Sequence, residues 1–246
     1  MTSQPTLPRS AYVGKLQEFP DIAFTDQGAL QHRGKWSEFF QKRIGTTFSG
    51  ELILEIGCFD AALLSAIAAE HPAAAFVGID WKCKAIYDGA KRIFEHALPN
   101  IVLLRARGQD LLKLFAQAEV DEIWIFHPDP CDKQAERKNR LIAPSFLDSA
   151  HTILKSDSST LTLKTDFPDY YRSVLDLLES SNPFRETGFE VTANSTDYWH
   201  DQAALSHSIC RYFAGKTTMY ENRFLKRQQR IFFVEMQKKE RDPIEQ

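Results

Sequence analysis

The stretch Glu51-Leu52-Ile53-Leu54-Glu55-Ile56-Gly57-Cys58-Phe59-Asp60-Ala61, with Phe76-Val77-Gly78-Ile79-Asp80 following a helical run, decides the fold of this chain. It reads as strand, tight turn, helix, strand. Residues 51 to 56 are apolar apart from two glutamates, the pattern of a parallel strand buried on both faces, and Gly57 opens its carboxyl end where a side chain would crowd a ligand. Ala61 to Glu70 predicts a helix, ended at His71-Pro72 because a proline ring disfavours helical geometry in the residue before it. Phe76 to Ile79 returns as a second strand, so the unit has the size of a βαβ crossover, about 30 residues.

Asp80 closes that second strand, where such folds hydrogen-bond the two hydroxyls of a ribose. A nucleoside-bearing ligand is expected. A dinucleotide fingerprint needs three glycines, whereas this turn offers Gly57 alone, with Phe59 and Ala61 where the others belong. Glu55 adds a second carboxylate that repels a pyrophosphate and suits a ligand carrying an amine and a sulfonium, as S-adenosylmethionine (SAM) does. An ordinary βαβ unit with a solvated aspartate at a strand end gives the same pattern, and this stretch alone leaves both readings open.

At 246 residues with 43% hydrophobic content, the chain suits one α/β domain, expected over residues 31–246 behind a flexible arm of 30 Pro- and polar-rich residues. No apolar run reaches the roughly 18 residues of a membrane span, and Met1-Thr2-Ser3-Gln4-Pro5 lacks the apolar core of a signal peptide, so a soluble, cytoplasmic protein is expected. Cys58, Cys83, Cys131 and Cys210 have no paired spacing, which points to free thiols rather than a zinc knuckle or a disulfide framework. The net charge of -3 argues against a generally basic surface, but positive charge is concentrated in Gln31–Gly45, in Lys133–Arg140 and in Arg223–Arg241. Such segments fit a phosphate-tracking face, and solvated helix faces produce them equally well.

Further along, Trp36–Ile44, Ala85–Ala97, Leu111–Gln117, Pro144–Leu154 and Tyr170–Leu178 read as helices. Ile101–Arg105, Ile123–Phe126, Leu161–Lys164, Phe189–Val191 and Arg230–Met236 read as strands, the last two as an antiparallel hairpin. The expected architecture is a Rossmann-like, seven-stranded, mostly parallel sheet with helices on both faces. Asp80, Asp129 and Asp166 each follow an apolar strand and Glu55 ends another, so four carboxylates converge at one edge, where open α/β sheets bind ligands. A magnesium site is the rival reading of that cluster, but no phosphate loop accompanies it and no metal is expected. Each aspartate taken singly can also be a helix cap.

These pieces together resemble the tRNA (guanine-N7)-methyltransferase family, SAM-dependent enzymes of Rossmann-like fold, from about Gly34 to Glu235. The carriers are Gly34-Lys35-Trp36, Leu54-Glu55-Ile56-Gly57, Gly78-Ile79-Asp80, Leu98-Pro99-Asn100, Phe126-His127-Pro128-Asp129-Pro130 with Lys133, Lys138 and Arg140, Lys164-Thr165-Asp166 and Thr218-Met219-Tyr220-Glu221. The resemblance implies that Glu55, Gly57, Asp80 and Asp129 serve the methyl donor, while Lys133, Asp166 and the Thr218–Glu221 segment contact the guanosine of a tRNA partner. Asp129 and Asp166 are the implied catalytic pair. Guanine N7 carries no proton, so attack on a sulfonium methyl needs no general base; positioning and negative charge near the purine suffice.

The chain departs from the family's pattern in several places. Cys58-Phe59-Asp60-Ala61 replaces a glycine-rich turn, Arg107 stands at the implied adenine position with Asp110 as a substitute, and Cys131 replaces a tryptophan. Ala135, Glu136 and Asn139 thin the basic run, so weaker phosphate binding is expected. Two alternatives follow: a methyltransferase of the same fold acting on a small purine-like heteroaromatic, or a non-catalytic RNA-binding descendant.

Overall fold

The computed structural model describes residues 9–179, 188–206 and 211–240. In chain order it contains α1 (Arg9–Lys15), β1 (Ala23–Thr25), α2 (Asp26–Leu30), α3 (Trp36–Ile44), β2 (Leu52–Ile56), α4 (Ala62–Glu70), β3 (Ala75–Asp80), α5 (Cys83–Glu95) and β4 (Ile101–Arg105). There follow α6 (Leu111–Leu114), β5 (Glu122–Phe126), α7 (Pro144–Ile153), β6 (Thr160–Thr165), α8 (Pro168–Glu179), β7 (Phe189–Ser195), α9 (Gln202–Leu205), α10 (Met219–Leu225) and β8 (Phe232–Lys238). The strands form one sheet in the order β1-β4-β3-β2-β5-β6-β8-β7. All neighbours from β1 to β6 are parallel, and β8 runs antiparallel to both β6 and β7.

Strand order reverses between β2 and β5, so the helices that follow these strands diverge to opposite faces and leave a crevice at their carboxyl ends. The alternation of side chains along each strand feeds two cores. Leu52, Leu54, Ile56, Ile123, Ile125, Leu161 and Leu163 pack with Trp36, Phe40, Phe146 and Tyr170 on one face. Ile53, Phe76, Leu103, Trp124 and Phe126 pack with Leu64, Ile67, Ile86 and Phe213 on the other.

Two expectations need correction. Residues 9–30 are not a free arm: Ala23–Thr25 adds a parallel strand to β4, making eight strands rather than seven among the described residues, and the buried Leu16 and Phe19 cover α5, Phe19 meeting Tyr87 and Phe94 at 5.6 and 5.7 Å. Burial holds the segment down; Tyr12, Leu16 and Phe19 fall at helical spacing, but the run is too short to stand out against the polar residues around it. The part of that expectation on residues 1–8 lies outside the described residues. The second concerns the late strands, which are antiparallel neighbours as expected but no tight hairpin, because α9 and α10 lie in the connection between them.

Candidate active site

At the end of β2 the backbone turns sharply through left-handed conformations, at Gly57 (φ 86), Phe59 (φ 51) and Ala61 (φ 51). The Gly57 and Cys58 N–H groups both donate to the Ile79 carbonyl, at 2.8 and 3.1 Å, which ties the turn to the end of β3. Asp80 then fixes it from the other side. Its Oδ2 accepts from the Phe59 N–H at 3.1 Å and its Oδ1 from the Lys82 N–H at 2.8 Å. Burial nudges the Asp80 carboxyl above its ordinary value, against those N–H groups and the Lys82 ammonium. A left-handed phenylalanine costs backbone strain of about 1–2 kcal/mol, and here it holds an aromatic ring over the crevice.

That crevice is a cavity of about 590 Å³, large enough for a nucleoside-sized ligand. Gly57, Phe59, Asp80 and Trp81 line one half; His127, Asp129, Asp166, Tyr220 and Phe224 line the other. Gln109 and Gly108 close the β4 side, where a Cβ on Gly108 would come within 2.6 Å of Ile56 Cγ2.

The second half is built on the ends of β5 and β6. His127 takes a left-handed conformation (φ 50), and its N–H donates to the Lys164 carbonyl at 2.8 Å, completing the ladder before the Pro128-Asp129-Pro130 loop leaves the sheet. Arg140 anchors that loop from beneath. Its Nε donates to the Pro130 carbonyl at 3.0 Å, its Nη1 to Ser173 Oγ at 2.7 Å, and its guanidinium lies over the Tyr170 ring at 5.0 Å.

Behind the cavity wall lies a buried charge network. Lys164 Nζ sits 3.1 Å from Glu221 Oε1, among the rings of Tyr198 and Phe213 at 4.1 and 4.8 Å. Glu221 also accepts from the Thr218 N–H at 2.9 Å while Thr218 Oγ1 accepts from the Glu221 N–H, so the pair caps α10. Burial opposes the Glu221 charge, but Lys164, His127 and the Thr218 N–H outweigh it and bring the carboxyl down to about 2. His127 stands between Glu221 and Asp166, with Nε2 3.9 Å from one carboxylate and Nδ1 3.5 Å from the other.

The structure brings Gly57, Asp80, Asp129 and Asp166 of the sequence-derived residues to one cavity. Glu55 lies behind the wall, 4% exposed, with Oε2 unpartnered. Burial, and then Asp80, Asp60 and Glu221, raise its carboxyl to about 8, so it brings no second negative charge at neutral pH. Arg107 is exposed outside the cavity and Asp110 is paired with Lys113 at 2.6 Å; the side chain at the wall there is Gln109. Lys133 is exposed, 3.3 Å from Glu136, and does not reach the cavity. Thr218 and Glu221 are engaged in the cap, and their neighbours Tyr220 and Phe224 face the cavity instead. Arg140, expected in the basic face, is buried. His127, Gln109, Trp81 and Phe224 are among the wall residues to which the sequence reading gave no role; of these, the histidine between an apolar strand and a Pro-Asp-Pro loop carried a local signal.

Residues 49–234 match the family described as "Putative methyltransferase". A tRNA (guanine-N(7)-)-methyltransferase of Christiangramia forsetii is 31% identical over 82% of this chain and 83% of its own length. The chain belongs to the tRNA (guanine-N7)-methyltransferase family. Another relative of the same name, from Oenococcus oeni, is 30% identical over 89% of this chain and 93% of its own. Among solved structures, a 16S rRNA (adenine(1408)-N(1))-methyltransferase from Catenulisporales acidiphilia with cosubstrate SAM superposes with a TM-score of 0.52 over 85% of this chain and 94% of its own. At 16% identity that likeness speaks for the fold alone. This family member is thus a methyltransferase with the expected Rossmann-like sheet.

Proposed function

We propose that this methyltransferase takes its methyl group from SAM and delivers it to N7 of a guanosine in tRNA. The observation that carries this reading is the division of carboxylates within one cavity: Asp80 on the turn side, Asp129 and Asp166 facing it. The turn side fits a nucleoside, because Asp80 is held by two backbone donors and keeps further lone pairs for a ribose diol. SAM when bound supplies a methyl on a sulfonium; the N7–carbon bond forms as the sulfur–carbon bond breaks, and the electron pair stays on sulfur.

The chain's own residues position and stabilise. Asp166, with 23% of its side chain exposed, is the carboxylate available to accept hydrogen bonds from the guanine edge opposite N7, since Glu221 is committed to Lys164 and Thr218. That edge of guanine carries N–H donors, whereas adenine offers no matching pair. Asp166 and Asp129 also place negative charge beside a purine that becomes cationic, and no group need remove a proton. Exposed Lys133, Arg137 and Lys138 form the phosphate-facing rim. The small-heteroaromatic alternative has less support, given relatives named for tRNA. A tRNA substrate goes with work in the cytoplasm; among the described residues no helix is long and apolar enough to cross a membrane.

The test is to incubate the protein with methyl-labelled SAM and unmodified tRNA, digest the RNA and identify the labelled nucleoside. N7-methylguanosine is expected. Label on another nucleoside, or none although calorimetry registers SAM binding, overturns the acceptor assignment.

A further inference from the structure

His127 has no part in the reading above, yet it is a cavity-wall residue flanked by two carboxylates. Its side chain is 4% exposed, it holds a left-handed backbone that a non-glycine residue adopts only at a cost, and its ring packs 5.2 Å from Phe224. Nδ1 faces Asp166 Oδ1 at 3.5 Å and Nε2 faces Glu221 Oε2 at 3.9 Å, distances of ion pairing rather than of hydrogen bonding.

We propose that His127 is a positioning residue whose imidazolium ties Asp166 to the buried Glu221–Lys164 pair and so holds that carboxylate facing the acceptor base. The proposal rests on the role given to Asp166 above. Both nitrogens face oxygen acceptors, and only the doubly protonated ring presents a donor to each. Charge counting agrees: Lys164 and the imidazolium balance Glu221 and Asp166, whereas a neutral ring leaves Asp166, 23% exposed at the cavity wall, with no cation to hold its orientation.

The surrounding groups pull in both directions, and the anions prevail. Burial works against the charged ring, but Asp166 and Glu221 outweigh it and lift its pKa above the ordinary value. Lys164 on β6 opposes the ring's charge and is already matched by Glu221 on α10. Asp129 lies two residues along the same loop, and Glu55 on β2 is neutral at neutral pH. Gln229 Nε2 donates to Asp166 Oδ2 at 3.2 Å, so the carboxylate is held at both oxygens. When pH rises past the His127 titration, Asp166 loses one of those two holds, and turnover should fall on the alkaline side although guanine N7 needs no base.

Labelled-histidine NMR and kinetics test this together on the whole protein. His127→Asn, a residue that tolerates the left-handed backbone, assigns the resonance among the seven histidines. In Asp166→Asn the His127 midpoint should move to lower pH, because a flanking anion has gone. In the wild type, kcat should fall along the same titration. In His127→Asn that alkaline limb should vanish, with kcat down roughly tenfold, less than the hundredfold or more lost with a direct transition-state contact, and SAM affinity unchanged. A midpoint that does not move in Asp166→Asn overturns the bridge, as does a His127→Asn enzyme with wild-type kcat and pH profile. If the wild type methylates no tRNA guanosine, the proposed function falls instead, and the NMR arm still decides whether the bridge exists. If His127→Asn fails to fold, the other histidine variants assign its resonance by elimination, and the Asp166→Asn midpoint decides as before.

Discussion

Two glutamates, Glu55 on β2 and Glu221 on α10, are buried close enough to feel each other's charge and end in opposite states. Glu55 has one oxygen with no partner and is raised to about 8; Glu221 has Lys164, His127 and the Thr218 N–H around it and is lowered to about 2. Burial is common to both, so partners set the charge. The consequence runs through the site. The turn side relies on one ionised carboxylate, Asp80, and on backbone geometry, whereas the β5–β6 side rests on a fixed network of charges.

The strongest way to break this contrast is to remove the network's buried cation. Lys164→Met leaves Glu221, which is 0% exposed, without its nearest cation, and stability should fall by roughly 3–5 kcal/mol. Thermal unfolding measures it. Acidification tests the same point in the wild type: the lowered Glu221 pKa contributes stability that is present above the unfolded value near 4.5 and lost as pH falls toward about 2. A Lys164→Met protein within 1 kcal/mol of wild type would mean, by the same reasoning about buried pairs, that water reaches Glu221.

On the turn side the comparable change acts on binding. Asp80→Asn keeps the shape but replaces a charged acceptor by a neutral one, and charge-assisted hydrogen bonds are worth about 1.5–3 kcal/mol, so SAM affinity should drop about ten- to a hundredfold. Folding stability should change less than in Lys164→Met, because Asp80 lines the cavity. Calorimetry on the folded variant decides; unchanged affinity removes Asp80 from the donor site.

The contrast between the two sides also explains what could be seen in the sequence. Strand periodicity, Gly57, and His71-Pro72 marked the βαβ unit, and acidic residues after apolar strands marked Asp80, Asp129 and Asp166, since these signals are local. Partnership is not local. Nothing near Glu55 in the chain says that it lacks a cation, and Lys164 and Glu221 meet across 57 residues. Arg140 looked like part of a basic face for the same reason, although its guanidinium is spent on Pro130, Ser173 and Tyr170. β1 escaped because three residues are too few to show a period.

Glu55→Gln sharpens the contrast from the other side. With a folded value of about 8 against 4.5, the wild-type carboxyl contributes stability that is full below 4.5 and is lost as pH rises toward about 8. Glutamine has no such dependence. The variant should therefore gain on wild type through that window, by about 1.4 kcal/mol for each pH unit between the two values. Parallel stability curves for the two proteins would mean that Glu55 is ionised and the comparison with Glu221 fails.

The smallest effect is expected at Phe59, where the turn side depends on backbone rather than charge. Phe59→Gly removes left-handed strain of about 1–2 kcal/mol. It also gives the unfolded chain more freedom, at about 0.5–1 kcal/mol, and loses the edge-on contact with Tyr220 at 6.1 Å, the kind of ring pair worth about 0.5–1.5 kcal/mol. These terms nearly cancel, so stability should stay within roughly 1 kcal/mol of wild type. Binding should not cancel in this way, because the ring lines the cavity and gives its ligand apolar contact. SAM affinity should weaken a few-fold, about 1 kcal/mol of lost contact. A marked fall in melting temperature with unchanged affinity would make Phe59 a structural plug, and the turn side would then owe its shape to packing rather than to the ligand it holds.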